Sequence, residues 1–249
     1  MTAFAGRVSI VTGGTRGIGA AISERLVLEG AHVAAVYARD DDAAKALAAR
    51  AAGPGSVSLH RADVGDHASC RQVVADVVAE HGRVDHLVNN AGLLVESPAG
   101  RMALEDWDRA LRVNLSAVFY LAQAVLGPMI DQGFGRIVNV SSVTALMGSP
   151  VEAGYGAAKA GLFGLSRSLA REVARKGITV NTVVPGVFET DMTHSMAPDA
   201  QEAIRRMIPL GRRGDPTELA HAVAFLLDDR AGYVTGSVVT VDGGLSMGG

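Results

Sequence analysis

Val8-Ser9-Ile10-Val11-Thr12-Gly13-Gly14-Thr15-Arg16-Gly17-Ile18-Gly19, followed by the amphipathic positions Ile22, Leu26 and Leu28, is the stretch that decides the fold. A short apolar run, a glycine-rich turn and a helical pattern read as strand, turn and helix, the context a dinucleotide site requires. Gly13 permits the tight turn, Gly17 lets backbone approach a pyrophosphate at the helix N-terminus, and Gly19 allows close helix–strand packing. The same alternation continues outward. Apolar runs at His32–Tyr37, Val57–His60, Val84–Val88, Ile137–Val140, Ile178–Val184 and Gly236–Val241 read as strands, and helix-forming segments such as Leu104–Ile130 and Thr217–Leu227 lie between them. Such a pattern implies an α/β fold with a doubly wound, mostly parallel, Rossmann-like sheet in a single domain over residues 1–249.

Composition excludes several function classes. The chain has 249 residues, 48% of them hydrophobic, with 30 glycines and no Pro/Ser-rich linker, so one large domain with a buried core is expected rather than disorder. A net charge of −3 with scattered basic residues gives no electrostatic footprint for nucleic acid or an anionic membrane. Cys70 is the single cysteine, so no internal disulfide forms and a reducing compartment is the simpler assumption. No signal peptide or spanning helix is visible, and a cytoplasmic protein is expected. No metal site is expected.

Cofactor choice turns on the end of the second strand. An acidic residue about 20 positions past the glycines binds the ribose 2′-hydroxyl of NAD, but Tyr37 stands there and Arg39 follows. Arg16, inside the glycine turn, is a second cation within reach, and guanidinium recognises phosphate bidentately. Together they favour NADP(H); the competing use of Arg39 is as a solvated charge beside Asp40, Asp41 and Asp42. Asp66 is a good N-cap for a helix that begins at His67. Asn89-Asn90-Ala91-Gly92 closes the fourth strand with small residues, at the strand end where open α/β sheets bind ligands. Phe188–Leu210, polar and rich in Met, is expected to be the body of a substrate lid over about 187–212.

The catalytic chemistry is concentrated in Arg136–Ala170. Ser141 and Ser142 end the Ile137–Val140 strand, a Gly148–Pro150 break follows, and Tyr155 and Lys159 then stand four residues apart in a helical run. That spacing puts both side chains on one helix face with Cβ atoms about 5–6 Å apart. A phenol titrates near 10, so poising it near neutrality takes about three pH units, or roughly 4 kcal/mol, and an adjacent ammonium pushes that way. Ser142 can hydrogen-bond the same substrate oxygen. Asn114 lies inside the apolar helix Leu111, Val113, Leu115, Val118, Phe119, where it sacrifices propensity and must find partners if buried.

This set, Ser142 with Tyr155-x-x-x-Lys159 and the T-G-x-x-x-G-x-G turn of Thr12–Gly19, resembles the short-chain dehydrogenase/reductase family over nearly the whole chain. Within it the sequence looks most like bacterial 3-oxoacyl-[acyl-carrier-protein] reductases and the similar acetoacetyl-CoA reductases. The resemblance implies a catalytic group of Asn114, Ser142, Tyr155 and Lys159, with Asn114 holding a water that links Lys159 to solvent. It implies a cofactor site of Gly13, Thr15, Arg16, Gly17, Ile18, Gly19, Arg39, Asp63, Val64, Asn90, Ala91, Gly92, Tyr155, Lys159, Pro185, Gly186, Val187 and Thr190. There Asp63 accepts from the adenine amino group, an Asx-turn being its competing use, and Asn90 contacts the nicotinamide-side ribose. The backbone of Val187 meets the carboxamide, and Thr190 meets the pyrophosphate.

The implied reaction is NADPH-dependent reduction of a 3-oxoacyl thioester by a homotetramer, with acetoacetyl-CoA reductase, polyketide ketoreductase and a non-enzymatic NADP sensor as alternatives. The Glu189-Thr190-Asp191-Met192 run and the basic Arg171, Arg175 and Lys176 point to a substrate borne on an acidic carrier protein. Leu93–Glu96 and Asp131–Phe134 depart from the carrier-protein reductases, and the latter is more like the acetoacetyl-CoA enzymes.

Overall fold

The seven strands among the described residues all run parallel, and their order explains why the central ones are buried along their whole length. A computed structural model describes residues 2–190 and 198–247. Its strands are β1 (Val8–Thr12), β2 (His32–Tyr37), β3 (Ser56–Arg61), β4 (His86–Asn89), β5 (Gly135–Val140), β6 (Ile178–Pro185) and β7 (Val238–Val241), in the order β3-β2-β1-β4-β5-β6-β7. A parallel sheet is crossed by helices on both faces, so neither face can be polar. Every residue of β1, β5 and β6 is buried. The doubly wound single domain is therefore as the sequence pattern implies.

The helices α1 (Gly17–Leu28), α2 (Asp41–Arg50), α3 (His67–His81), α4 (Leu104–Leu111), α5 (Ala117–Gln132), α6 (Thr144–Met147), α7 (Ala153–Val173), α8 (Pro198–Met207) and α9 (Pro216–Leu227) divide between the two faces. Val8 and Ile10 of β1 point into one core with Val73 and Val77 of α3, Leu121 and Val125 of α5, and Leu169 of α7. Val11, one step out of phase, points into the other with Ile22 and Leu26 of α1 and Leu219 and Val223 of α9. This is the period-2 alternation of a strand working on two apolar faces.

Helix ends follow their caps. Asp66 Oδ2 accepts from the Ser69 N–H at 2.8 Å and starts α3 at His67. Asp215 and Glu218 form a reciprocal capping box at α9, with Pro216 in the first turn. The long helix read over Leu104–Ile130 is interrupted by a π-helical turn at Arg112–Ser116. By length and composition Leu104–Gln132 could cross a membrane, but Leu121, Ala122, Val125 and Met129 spend that apolarity against the sheet.

Two strands are shorter than their apolar runs. The fourth begins at His86, because Val84 and Asp85 are the approach to it. Asp85 is fully buried, takes Arg7 at 2.9 Å and Arg83 at 2.6 Å, and accepts from the Val8 N–H at 2.9 Å. The seventh begins at Val238, because Gly236 turns at φ 68°. The expected lid is described at 187–190 and 198–212, where α8 leads to the Phe188–Gly214 bridge. Asp191 and Met192 lie outside the described residues.

Candidate active site

The C-terminal ends of β1, β4, β5 and β6 bring the expected residues to one edge of the sheet. Thr12 is the joint between the first two. Its Oγ1 accepts from the N–H groups of Asn90 and Ala91, each at 3.0 Å, and Asn90 Nδ2 donates back to the Thr12 and Gly13 carbonyls at 3.0 and 3.2 Å. The glycine turn and the Asn-Asn-Ala-Gly turn are thus one hydrogen-bonded unit. Thr12 opens the T-G-x-x-x-G-x-G run, but sequence reasoning gave it no role in joining the two turns.

The glycines have different reasons. Gly13 and Gly17 have φ of 60° and 53°, which L side chains avoid. A Cβ on Gly19 would stand 2.0 Å from the Gly13 carbonyl oxygen and 2.6 Å from Asn90 Nδ2. The close packing expected of Gly19 is therefore against the turn, not against a strand. Gly14, which was assigned nothing, is equally constrained: its Cβ would meet the Val11 carbonyl oxygen at 2.7 Å. Nothing crowds Gly17 except Thr190, whose Cγ2 is 3.6 Å from that Cβ position.

A dinucleotide fits this cradle. No acidic residue lies in the first turn of α1 and no side chain caps it, which leaves amide donors for a pyrophosphate. Thr190 overhangs that turn from the other side. Gly92 is the second gap: a Cβ there would lie 3.1 Å from Asn114 Oδ1 and 3.6 Å from Lys159 Nζ. Gly186 is glycine for another reason, since its Cβ would fall 2.6 Å from the Asp242 Cα. Pro185 ends β6, and the Val187 carbonyl accepts from the Gly214 N–H at 3.0 Å. Thr15 is buried and Ile18 half-buried beside the turn.

At the adenosine end, Asp63 Oδ1 accepts from the Gly65 N–H at 2.8 Å, so it does form an Asx-turn with one oxygen. Val64 gives its carbonyl to the Cys70 thiol at 3.2 Å; burial pushes that thiol up to about 12, and it stays protonated. Arg39 is exposed. Arg16 lies 3.6 Å from Asp40, which also caps α2 through the Ala43 N–H at 2.9 Å. Arg61, opposite Tyr37 in the β2–β3 register, pairs with Asp41 at 3.5 Å and is a third cation in the cluster that the sequence did not single out.

The four proposed catalytic residues converge. Asn114 is fully buried in the π-helical turn; its Oδ1 accepts from the Leu93 N–H at 3.0 Å and its Nδ2 donates to the Leu93 and Ala110 carbonyls at 2.8 and 3.0 Å. One extra residue per turn is what π geometry inserts, and here it aims the amide at the loop after Gly92. Lys159 is buried and its Nζ donates to the Val140 carbonyl at 2.7 Å. Behind it, Asn139 and Thr182 both donate to Ser166 Oγ, at 2.9 and 2.8 Å, and pin α7 to β5 and β6. The Ser142 hydroxyl faces the Tyr155 phenol and favours its ionised form.

Burial raises the Tyr155 phenol above its ordinary value, the Ser142 hydroxyl opposes that, and the Glu152 carboxylate adds to it. Lys159 Nζ stands over the Tyr155 ring, 5.7 Å from its centroid, and gives one donor to the Val140 carbonyl. Burial also lowers Lys159 itself to about 8.

Two substrate indicators lie elsewhere. Arg171, Arg175 and Lys176 are exposed, but lie 16 to 21 residues beyond Tyr155, in the last turn of α7 and the 3-10 turn Ala174–Lys176 that follows it, roughly 24 Å or more away at helical rise. Gly133 and Phe134 precede β5, and Phe134 is held between Arg7 at 4.0 Å and Arg136 at 4.3 Å. Both segments belong to the opposite edge of the sheet and do not border the same chain's Tyr155.

Comparison with known proteins agrees with this geometry. A family model described as enoyl-(acyl carrier protein) reductase matches residues 13–246. The chain is 44% identical over 244 residues to the 3-oxoacyl-[acyl-carrier-protein] reductase FabG of Escherichia coli (strain K12), covering 98% of this chain and 99% of that one. It is 42% identical over 239 residues to an acetoacetyl-CoA reductase of Shinella zoogloeoides, covering 96% and 98%. Among solved structures, a mutant short-chain dehydrogenase/reductase of Serratia marcescens is similar at a TM-score of 0.93 with 39% identity, covering 98% and 99%.

Proposed function

Because the chain belongs to the short-chain dehydrogenase/reductase family, an oxidoreductase family using a nicotinamide cofactor, we propose that it reduces the 3-oxo group of an acyl-carrier-protein-bound acyl thioester with NADPH. The observation that carries this is that Ser142 faces the Tyr155 phenol one helical turn from a buried Lys159. The cofactor, when bound, supplies the hydride. Ser142 orients the substrate carbonyl oxygen, and Tyr155 Oη gives it a proton as negative charge develops there. Lys159, with three donors of which one is spent on Val140, holds the ribose and resupplies the proton. Asn114 keeps a water on the Lys159 side. The sensor alternative has no use for this group.

NADP preference is assigned to Arg16 and Arg39, with no carboxylate at Tyr37 to repel a 2′-phosphate. Hydrogen bonds to charged groups contribute about 1.5–3 kcal/mol, but Arg16 is exposed and shares its charge with Asp40, which discounts its share. Arg16→Ala and Arg39→Ala should each weaken NADPH by roughly 3- to 30-fold and leave NADH little changed. Direct titration of both cofactors checks this; equal losses would assign the arginines to structure.

The acyl handle is the finer part of the reading, since relatives of either kind are nearly equally similar. Rates on one 3-oxoacyl chain borne by carrier protein, by CoA and as a free ketone separate the two. Preference for the carrier form, with a rate that falls as salt screens exposed charge beyond about 10 Å at 0.1 M, supports the proposal. A parent enzyme that already prefers the CoA ester replaces it with acetoacetyl-CoA reduction. A cytoplasmic homotetramer completes the reading; Leu104 at 76% and Phe119 at 42% exposure are apolar surface for a second copy to cover, and solution mass tests it.

A further inference from the structure

The segment joining Ser142 to Tyr155 carries contacts that the chemistry above does not use. Val151 is the one non-glycine residue at positive φ among the described residues, at 61°, a region that β-branched residues rarely enter. Its carbonyl accepts from the Ser97 N–H at 2.8 Å. The next residue, Glu152, is the N-cap of α7 but makes no side-chain bond to the helix amides, the usual use of an acidic cap. Its Oε2 accepts instead from Thr144 Oγ1 at 3.1 Å, while the Thr144 N–H donates to Ser142 Oγ at 3.2 Å. Thr144 therefore ties Ser142, which faces the Tyr155 phenol, to the residue three positions before Tyr155.

We propose that Glu152 is a positioning residue for the proton transfer: clasped to Thr144, it holds the Ser142 loop against the Tyr155 helix and sets its carboxylate at the N-terminus of that helix, on the Tyr155 side. The inference rests on Tyr155 being the acid. Three groups face the phenol: the Ser142 hydroxyl from the loop after β5, Lys159 Nζ from the next turn of α7, and the Glu152 carboxylate from its N-terminus. Of these only Glu152 is anionic, so it disfavours phenolate. Ketone reduction consumes the phenol and is lost as pH rises through the Tyr155 pKa. Removing the Glu152 charge lowers that pKa, and the loss then sets in at lower pH.

The test is the pH profile of kcat/KM for ketone reduction by the full-length enzyme with saturating cofactor, in Glu152→Gln, Glu152→Ala, Thr144→Val and Thr144→Ser. Glutamine still accepts from Thr144, so Glu152→Gln should move the alkaline limb to lower pH while losing less of the plateau than Glu152→Ala. Thr144→Val should lower the plateau roughly three- to tenfold, the worth of a half-exposed hydrogen bond to a charged group, and Thr144→Ser should restore it. Unfolding midpoints of all four separate these effects from loss of fold. Superimposable profiles for the parent and Glu152→Gln overturn the electrostatic role, and a parental plateau in Thr144→Val overturns the clasp. Tyr155→Phe distinguishes the premises: if it is inactive while Glu152→Gln is silent, only the role of Glu152 fails, whereas an active Tyr155→Phe removes Tyr155 as the acid.

Discussion

Tyr155→Phe should bind NADPH as the parent does and lose turnover by roughly 10²- to 10⁴-fold, the usual worth of a positioned general acid. The ring stays, so the packing of α7 against α4 and the loop after β5 is kept. What goes is the phenol hydroxyl on the side that Ser142 faces. Because the half-buried phenol is raised above its ordinary value by desolvation, it is protonated at neutral pH and ready to donate to a ketone; the oxidative direction, which needs the phenolate, should require alkaline conditions. Fluorescence titration of cofactor beside steady-state rates in both directions checks this. Turnover within a few-fold of the parent would remove Tyr155 as the acid, and weakened cofactor binding with it would show the hydroxyl serving structure instead.

The parts of this molecule that could be read from its sequence are those fixed by local chemistry. His32–Tyr37 is a strand over just those residues because a buried parallel strand must be apolar on both faces. Asp66 caps at His67 because a carboxylate there satisfies an orphan amide. What could not be read depends on partners distant in the chain. The Lys159 ammonium points at the Val140 carbonyl, and no spacing rule says whether an i+4 lysine will face its tyrosine or the strand behind it. Asn114 reads as an oddity in a helix, and one inserted residue at Arg112–Ser116 leaves the apolar period nearly intact, so the π turn that gives the asparagine its bonds stays hidden. Thr12 and Asn90 are 78 positions apart, yet each serves the other. The remoteness of Arg171 from Tyr155, by contrast, was countable along one helix.

Lys159→Met should produce an enzyme that is more stable and does not work. A buried ammonium whose hydrogen bond goes to one backbone carbonyl is costly to keep charged: a fall from 10.5 to about 8 corresponds to about 3 kcal/mol of folding penalty at neutral pH. Methionine fills nearly the same volume and removes that penalty, while the Val140 carbonyl left without a donor takes back about 1–2 kcal/mol. The net gain is of the order of 1–2 kcal/mol, a few degrees in the unfolding midpoint of a domain this size. The pH dependence identifies the cause. The folded-state value lies below the unfolded one, so between pH 8 and 10.5 the unfolded chain binds the extra proton and the parent gains stability as pH rises. The advantage of the variant should therefore be full below pH 8 and shrink toward pH 10.5. Activity moves the other way, since the proposed contact with the ribose and the proton supply to Tyr155 are both lost: NADPH binding should weaken and turnover fall by about 10²-fold or more. Thermal unfolding of the cofactor-free parent and variant at pH 7 and pH 10, beside rates and cofactor titration, separates the two consequences. A variant less stable than the parent at both pH values would mean that the Val140 contact outweighs the burial of the charge, and that Lys159 is retained for the fold as well as for the proton.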